Sequence, residues 1–428
     1  MKRFQKRNIC PKLEILEPGE HLAYPVRQHI GKDAEIVVNI GDRVLEGQII
    51  AKGGTLSVSA NVHASVSGIV SDIKPVITMG GQPVRAIIIK NDGRYEVFSQ
   101  SEKKKRIFDK MSSEEIINAV YNAGIVGMGG AGFPTHIKLS KDRESIKYII
   151  INGTECEPYI SADHRLMLCE SDRLICGIQI LLKLFCNALA VIVIEDDKMD
   201  AVKLLAEKIK SNNNIDIKVI KSGYPKGAER QLVNAVTKKR LAMGNLPQEA
   251  GCIVCNVATV TGICRAVVEA EPFIKRIVTV TGDAVSESHN YLVRIGTDIG
   301  TVIQAARVKK EQVAKIIIGG PMMGKAVYSY DIPVTKTTSA IICMTGKEAY
   351  MAQESVCIRC GKCVDVCPER LVPQILAEYA ERYEWDLFRT AGGMNCCECG
   401  SCTYVCPAKR SLTQIFAGAK NVVKSREA

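Results

Sequence analysis

Cys357-Ile358-Arg359-Cys360-Gly361-Lys362-Cys363-Val364-Asp365-Val366-Cys367-Pro368 recurs 39 positions later as Cys396-Cys397-Glu398-Cys399-Gly400-Ser401-Cys402-Thr403-Tyr404-Val405-Cys406-Pro407, cysteine for cysteine and proline for proline. Three thiolates within seven residues can wrap three corners of an iron-sulfur cubane, and the fourth cysteine of each run, one helical turn further on, serves the other cluster. The spacing therefore assigns one [4Fe-4S] cluster to Cys357, Cys360, Cys363 and Cys406, and a second to Cys396, Cys399, Cys402 and Cys367. Paired zinc sites also use CxxC steps, but two complete copies, each ending in proline, favour the two clusters. Cys397 breaks no spacing and reads as a spare thiol. Between the copies, Pro373 to Asp386 has the pattern of a helix, and the module occupies roughly Ser355 to Gln414. Such clusters exchange single electrons at low potential, so an electron-exchanging partner is implied.

The remainder of the chain has to be several domains, because 428 residues exceed what one hydrophobic core usually organises. An apolar fraction of 46% describes a globular protein. Eighteen cysteines point to metal ligation rather than disulfides if the compartment is reducing. The start, Met1-Lys2-Arg3 running into Asn8, Pro11, Lys12 and Glu14, lacks the apolar core of a secretory signal and suggests the cytoplasm. Leu174 to Ile194 is the longest apolar stretch, but Gln179, Lys183 and Asn187 interrupt it at helical spacing, so it reads as a buried helix followed by a strand over Leu189 to Ile194. The net charge of +11 is diffuse, and aromatics make up only 5%. Anionic lipid or an acidic partner protein suits that charge better than nucleic acid. The run Lys103 to Arg106 reads as a solvated linker.

Short β-type segments separated by turns fill Glu35 to Ile89: Ala34 to Val38, Gly47 to Ala51 and Val66 to Val70. Gly41-Asp42-Arg43-Val44 to Gly47-Gln48, with Ala64-Ser65-Val66-Ser67-Gly68, resembles the biotinyl/lipoyl barrel-sandwich domains. Those present a modifiable lysine at a hairpin tip, where this chain has Ser59-Ala60-Asn61-Val62-His63, so a structural or docking module is expected. His63 is either a ligand or, more simply, a hydrogen-bonded histidine. From Glu114 to Glu271 helices (Ser113 to Ala123, Arg173 to Phe185, Asp200 to Ile209) alternate with strands (Lys147 to Ile151, Ala190 to Ile194), the pattern of a mostly parallel sheet under helices. Strands return at Ile277 to Thr281, Tyr291 to Ile295 and Ile316 to Ile318, which fits a small α+β domain from Arg276 to Gly320.

Gly127-Met128-Gly129-Gly130-Ala131-Gly132 satisfies GxGxxG, yet a helix precedes it where the dinucleotide fingerprint needs a strand. It is either a backbone cradle for a phosphate or flavin or a tight structural turn. Phe133-Pro134-Thr135-His136-Ile137-Lys138, Asn152-Gly153-Thr154-Glu155-Cys156-Glu157-Pro158, Tyr224-Pro225-Lys226-Gly227-Ala228-Glu229 and Asn256-Val257-Ala258-Thr259 resemble the FMN- and NADH-binding fold of the flavoprotein subunit of respiratory complex I. With Ala162-Asp163-His164-Arg165-Leu166-Met167, Gly319-Gly320-Pro321-Met322-Met323-Gly324 and the doubled cysteine motif, nearly the whole chain is similar to the C subunit of the Rnf complex, a membrane-bound ferredoxin:NAD oxidoreductase coupled to ion translocation.

The resemblance implies a multidomain α/β architecture. Its parts are an N-terminal β barrel-sandwich (1–100, lipoyl-like), a Rossmann-like FMN/NAD-binding domain (110–272), a β-grasp domain (273–345) and a C-terminal two-cluster ferredoxin-type α-helical module (350–428). It implies FMN held by Gly127, Gly129, Gly130, Gly132, Lys138, Asn152, Glu155 and Asn256 with Thr259 nearby, and NAD(H) met by Phe133 and Glu157 with Glu229 close to it. The residue types agree: amides and a lysine suit phosphate, Asn and Glu suit ribose and flavin polar groups, and Phe offers a stacking face. Met128 stands where complex I flavoproteins have arginine, and Gly227-Ala228-Glu229 where they have Gly-Glu-Glu, departures that bear on the nucleotide contacts more than on the flavin. Flavin reconciles the two-electron hydride of NAD(H) with one-electron clusters, so no acid, base or nucleophile of the chain is needed. The expected setting is the cytoplasmic face of the cell membrane, peripherally bound to the other Rnf subunits, including a ferredoxin-accepting iron-sulfur subunit. A soluble flavin reductase serving a corrinoid or other enzyme, and a flavin-free electron relay, are the alternatives.

Overall fold

The computed structural model describes residues 12–54, 57–98, 106–140, 143–242, 244–349 and 353–427. The opening residues Met1 to Pro11 and the linker residues Lys103 to Lys105 lie outside them.

Glycine-punctuated β segments can close on themselves only as antiparallel ladders with short turns, and the N-terminal region does so in two small sheets. One runs His21–Pro25, Pro83–Asn91, Gly68–Ile77, Arg43–Val44, and the other Glu35–Ile36, Ile49–Lys52, Val62–His63. Leu22, Tyr24, Val44, Ile50, Val70, Ile87 and Ile89 fill the space between them and are fully buried. The long hairpin begins two residues later than the sequence pattern suggests, at Gly68, where a Cβ would lie 2.0 Å from the Lys90 carbonyl oxygen. Only glycine permits that approach.

The next region is a four-stranded parallel sheet in the order Ile215–Ile220, Leu189–Glu195, Tyr148–Gly153, Cys252–Asn256. Three of its strands, Leu189–Glu195, Tyr148–Gly153 and Cys252–Asn256, are mostly apolar runs because both faces are covered, while the edge strand Ile215–Ile220 carries Asp216 and Lys218. Ile149 and Ile151 pack under Ser171–Leu184 and Val257–Val268, while Ile150, Val193 and Val254 meet Leu232 and Val233 of Glu229–Thr237. Ser113–Asn122 starts on a capping box, the Ser112 side chain accepting from Glu115 N–H and the Glu115 carboxylate accepting from Ser112 N–H. In chain order the strands lie 3-2-1-4, so the chain winds outward from the first strand to the third and then crosses back to set the fourth on the first strand's other side. The crevice at that switch point, outside the carboxyl ends of Tyr148–Gly153 and Cys252–Asn256, is where open α/β sheets bind ligands.

A six-stranded mixed sheet follows, in the order Leu13–Ile15, His289–Arg294, Lys275–Thr281, Ala340–Thr345, Val313–Ile318, Lys325–Val327. Its first strand comes from the beginning of the chain, pairing parallel to His289–Arg294.

The C-terminal region is helical: Lys362–Asp365, Pro373–Glu381, Trp385–Thr390, Ser401–Val405 and Leu412–Glu427 around Leu376, Phe388, Leu412 and Phe416. The helix expected from Pro373 to Asp386 is two helices. Tyr383 takes a left-handed conformation (φ +60°) and the chain turns there, which lets Phe388 pack against Phe416 with ring centroids 6.3 Å apart. Burial of that aromatic pair outweighs the propensity of a continuous helix.

Candidate functional site

At the switch point the sheet delivers Asn152 and Asn256 from the ends of adjacent strands, and each is tied down by its neighbours. Asn152 Nδ2 donates to the Gly227 carbonyl (3.0 Å), and its Oδ1 accepts from Thr154 Oγ1 (2.7 Å). Asn256 caps the helix Val257–Val268 through Ala258 N–H (2.8 Å) and donates Nδ2 to Asp163 Oδ2 (2.6 Å). The glycine loop arches over this pair. Its base is closed by Gly127 N–H donating to the Phe133 carbonyl (2.8 Å), and Met128 N–H donates to Thr259 Oγ1 (3.0 Å). A Cβ on Gly129 would sit 3.0 Å from Asn256 Cβ, whereas one on Gly130 would meet nothing within 4 Å. The crown of the loop is thus open, with its flank pressed on Asn256.

Lys138 points its Nζ at the Val254 carbonyl (2.7 Å) and Glu229 Oε1 (3.2 Å). Burial opposes its charge, but Cys255 and Glu229 outweigh it and raise the lysine pKa, leaving a cation beside the crevice. Glu155, in a left-handed conformation (φ +47°), has both oxygens engaged by Asp163 N–H (2.7 Å) and His164 N–H (3.3 Å) at the start of the helix Ala162–Cys169. Glu157 accepts from Met322 N–H (3.1 Å) and Met323 N–H (2.9 Å), and burial pushes its carboxyl up to about 7. Gly320 must be glycine for this, since a Cβ there would fall 2.2 Å from the Glu157 carboxyl carbon. Phe133, half-buried, follows the loop. Met128 is buried under it and lines a separate cavity with Leu166, Ala258, Phe273 and Arg276, which shares none of the residues assigned to nucleotide.

The cysteine runs fold into two hollows. Cys357, Cys360 and Cys363 of the first run ring one hollow together with Cys406 of the second. Cys396, Cys399 and Cys402 ring the other together with Cys367 of the first, and Cys397 lines that hollow too. The two copies share backbone details as well as spacing. Gly361 and Gly400 have φ of +77°, and Arg359 and Glu398 both +55°. Those left-handed residues turn amides toward sulfur: Arg359 N–H donates to Cys357 Sγ and Glu398 N–H to Cys396 Sγ, both at 3.4 Å, and Leu371 N–H donates to Cys367 Sγ at 3.3 Å. Lys420 Nζ donates to the Cys396 carbonyl (2.7 Å) and Arg410 pairs with Glu381 beside Cys357, placing a cation near each hollow.

The second hollow abuts the crevice. Tyr224 Oη donates to the Cys399 carbonyl (2.6 Å), and a Cβ on Gly400 would be 2.7 Å from the carbonyl oxygen of Met322, the residue whose N–H holds Glu157. Arg230 pairs with Glu369 (3.0 Å) and Gln231 donates to the Pro368 carbonyl (3.4 Å), fastening the helical region to the parallel-sheet region. The first hollow faces outward: Cys357 and Cys360 are exposed, beside Val356 and Ile358 at 85% and 64% exposure.

Sequence reasoning missed Tyr224, Met322 and Met323, whose motifs were visible but whose role in joining two regions depends on folding. It also missed Lys198, fully buried at the edge of the same site with Nζ donating to Thr154 O (2.7 Å), Asp197 (2.8 Å) and Glu195 (3.1 Å). His63 is buried with Nδ1 unpartnered.

A parallel-sheet domain with a glycine loop at its switch point, carried behind a barrel-sandwich, places the chain in a defined class. Residues 120–265 match the family model of the Nuo51 FMN-binding domain, and residues 5–94 that of the RnfC barrel sandwich hybrid domain. The chain is 38% identical to the C subunit of the Na(+)-translocating ferredoxin:NAD(+) oxidoreductase complex of Acetobacterium woodii, over 94% of this chain and 91% of that protein. It is 40% identical to the C subunit of the proton-translocating ferredoxin:NAD(+) oxidoreductase complex of Clostridium ljungdahlii, over 89% and 82%. The C subunit of an ion-translocating oxidoreductase complex of Haemophilus influenzae is 37% identical over 86% of this chain but only 45% of its own length. The chain belongs to the RnfC family. Among solved structures, an NAD+-reducing [NiFe]-hydrogenase in the H2-reduced state is similar in fold, with a TM-score of 0.50 and 17% identity over 76% of this chain and 64% of that one.

Proposed function

We propose that this chain is the peripheral electron-transfer subunit of a membrane-bound ion-translocating ferredoxin:NAD+ oxidoreductase. Its family membership supports the oxidoreductase activity, and its FMN-binding domain supports a flavin between the clusters and NAD(H). The observation that carries the reading is the order of sites: an outward-facing four-cysteine hollow, a second hollow behind it, and the nucleotide crevice touching the second through Tyr224 and Met322.

The donor sets fit the groups they would hold. Among the described residues no three His, Cys, Asp or Glu side chains converge closely enough for a single ion. Four thiols around the outer hollow and five around the inner one suit polynuclear clusters instead, and the amides aimed at sulfur would stabilise thiolate charge. On this reading Cys357, Cys360, Cys363 and Cys406 hold the outer [4Fe-4S] cluster, and Cys396, Cys399, Cys402 and Cys367 the inner one. The amides of Gly127, Gly129, Gly130 and Gly132 with Lys138 would bind the FMN phosphate, and Asn152, Asn256 and Thr259 the polar edge of the flavin and its chain. Glu155 would act by fixing the helix at Ala162, while Phe133, Glu157 and Glu229 would line the NAD(H) approach. Bound flavin supplies exchange between a hydride and single electrons, and the clusters supply one-electron steps. The residues of the chain orient these groups and keep them adjacent.

The partition into barrel-sandwich (1–100), FMN/NAD domain (110–272), β-grasp domain (273–345) and ferredoxin-type module (350–428) belongs to the same proposal. So does attachment at the cytoplasmic face of the membrane. No helix among the described residues is long and apolar enough to cross a bilayer, so an ion path would come from partner subunits. The net charge of +11 favours docking near anionic lipid, and the exposed outer hollow suits an incoming iron-sulfur subunit that accepts electrons from ferredoxin. Purified chain reconstituted with FMN and iron-sulfur should oxidise NADH with an artificial electron acceptor. No oxidation under those conditions would overturn the proposal.

A further inference from the structure

Lys336 is 1% exposed, in the loop leading to the strand Ala340–Thr345. Its Nζ donates to two main-chain carbonyls from two other parts of the chain, Asn61 (2.5 Å) and Gly124 (2.7 Å). Asn61 lies in the barrel-sandwich segment that, in lipoyl-type domains, carries a modified lysine into solvent. Here that tip is closed in: Ser59, Asn61 and Val62 are at most 1% exposed, and Asn61 Nδ2 donates to the Tyr121 carbonyl (3.2 Å). Gly124 follows the helix Ser113–Asn122 and is one foot of the glycine loop. It is left-handed (φ +65°), and a Cβ there would meet Asn61 O at 2.4 Å and Lys336 Nζ at 2.8 Å.

The other foot rests on the same support. A Cβ on Gly132 would lie 2.9 Å from Thr337 Cγ2, 3.2 Å from His29 Cα and 3.3 Å from the Gln28 carbonyl oxygen. Gln28 Oε1 in turn accepts from Lys336 N–H (3.1 Å), and His29 Nε2 accepts from Ala60 N–H (3.0 Å). Gly124, just before the glycine loop, and Gly132 at its end are therefore gripped by Lys336-Thr337 and the barrel, while Gly130 at the crown has nothing near it.

We infer that Lys336 is a positioning residue for flavin: with Thr337 it locks the buried tip of the N-terminal module to the feet of the glycine loop, so that the module is a fixed brace which pre-shapes the phosphate cradle. The inference rests on the reading of that loop as the FMN site. A loop gripped at both ends has little left to order when ligand arrives, and loosening the grip lowers affinity through that ordering cost. Burial lowers the lysine pKa to about 7, yet ammonium and amine alike carry N–H donors for both carbonyls, which a methionine of similar length lacks.

The experiment uses the full chain, with FMN affinity read from quenching of free flavin fluorescence and loop order from amide hydrogen exchange over residues 125–133. Lys336→Met should weaken FMN binding about tenfold or more and speed exchange in the loop. Thr337→Gly, which removes the grip at Gly132 alone, should shift both readouts the same way and stands in if Lys336→Met does not fold. Val44→Ala, a cavity in the barrel core remote from the tip, should leave both unchanged. Wild-type affinity and exchange in the two test variants, or an equal loss in Val44→Ala, would overturn the inference. If the wild-type chain itself binds no FMN, the flavin reading falls instead, and the exchange data alone decide whether Lys336 braces the loop.

Discussion

Removing cysteines in pairs tells crossed from uncrossed ligation. Cys363 and Cys367 are four positions apart in one run, yet Cys363 faces the outer hollow and Cys367 the inner one. Each cubane carries about four irons, so the wild-type chain should hold about eight, and Cys363→Ala or Cys367→Ala alone about four. The pair Cys363→Ala/Cys367→Ala removes one thiol from each hollow and should leave almost no iron. The pair Cys367→Ala/Cys399→Ala, drawn from different runs but one hollow, should still leave about four irons. Iron and acid-labile sulfide per chain, with electron paramagnetic resonance of the reduced protein, give the counts. Four irons in the first pair and none in the second would refute the crossed arrangement, and metal without labile sulfide would refute the clusters.

Other outcomes follow from buried charge. Lys198→Met strands Glu195, 2% exposed, without its ammonium, and should cost about 3 to 5 kcal/mol in chemical denaturation, the usual loss on breaking a buried pair from one side. Glu157 is raised by burial from 4.5 to about 7, so the folded state holds its proton more tightly than the unfolded chain does. Its contribution is fully present below pH 4.5 and lost as pH rises through about 7, a change on the order of 3 kcal/mol at 1.36 kcal/mol per pKa unit. Denaturation midpoints across that range should decline in the wild-type chain, and Glu157→Gln should flatten the decline. An unchanged slope would show that another group titrates.

What was legible beforehand was chemistry written at short range. The cysteine spacing places three thiols of each hollow within one loop, and the alternation of helices and strands from Ser113 onward needed only local apolar periods. What was not legible depended on distant pairing. Leu13–Ile15 joins a sheet whose neighbouring strand lies at His289–Arg294, and no local pattern announces that. Lys198 follows Glu195-Asp196-Asp197, a run that reads as solvated surface, and only the folded chain encloses it beside Thr154. Lys336 sits among threonines with no local sign that it reaches Asn61, 275 positions away. Tyr383 ended the expected helix through a turn that serves Phe388, a tertiary demand invisible to propensity.

The central claim is that flavin in the switch-point crevice links NAD(H) to the cysteine-bound clusters. Anaerobic addition of NADH to the FMN- and iron-loaded chain tests it most directly. The account predicts that the flavin absorbance band bleaches and that the clusters then become reduced, with no cluster reduction when FMN is left out. Bleaching without cluster reduction, or cluster reduction by NADH in flavin-free protein, would contradict it.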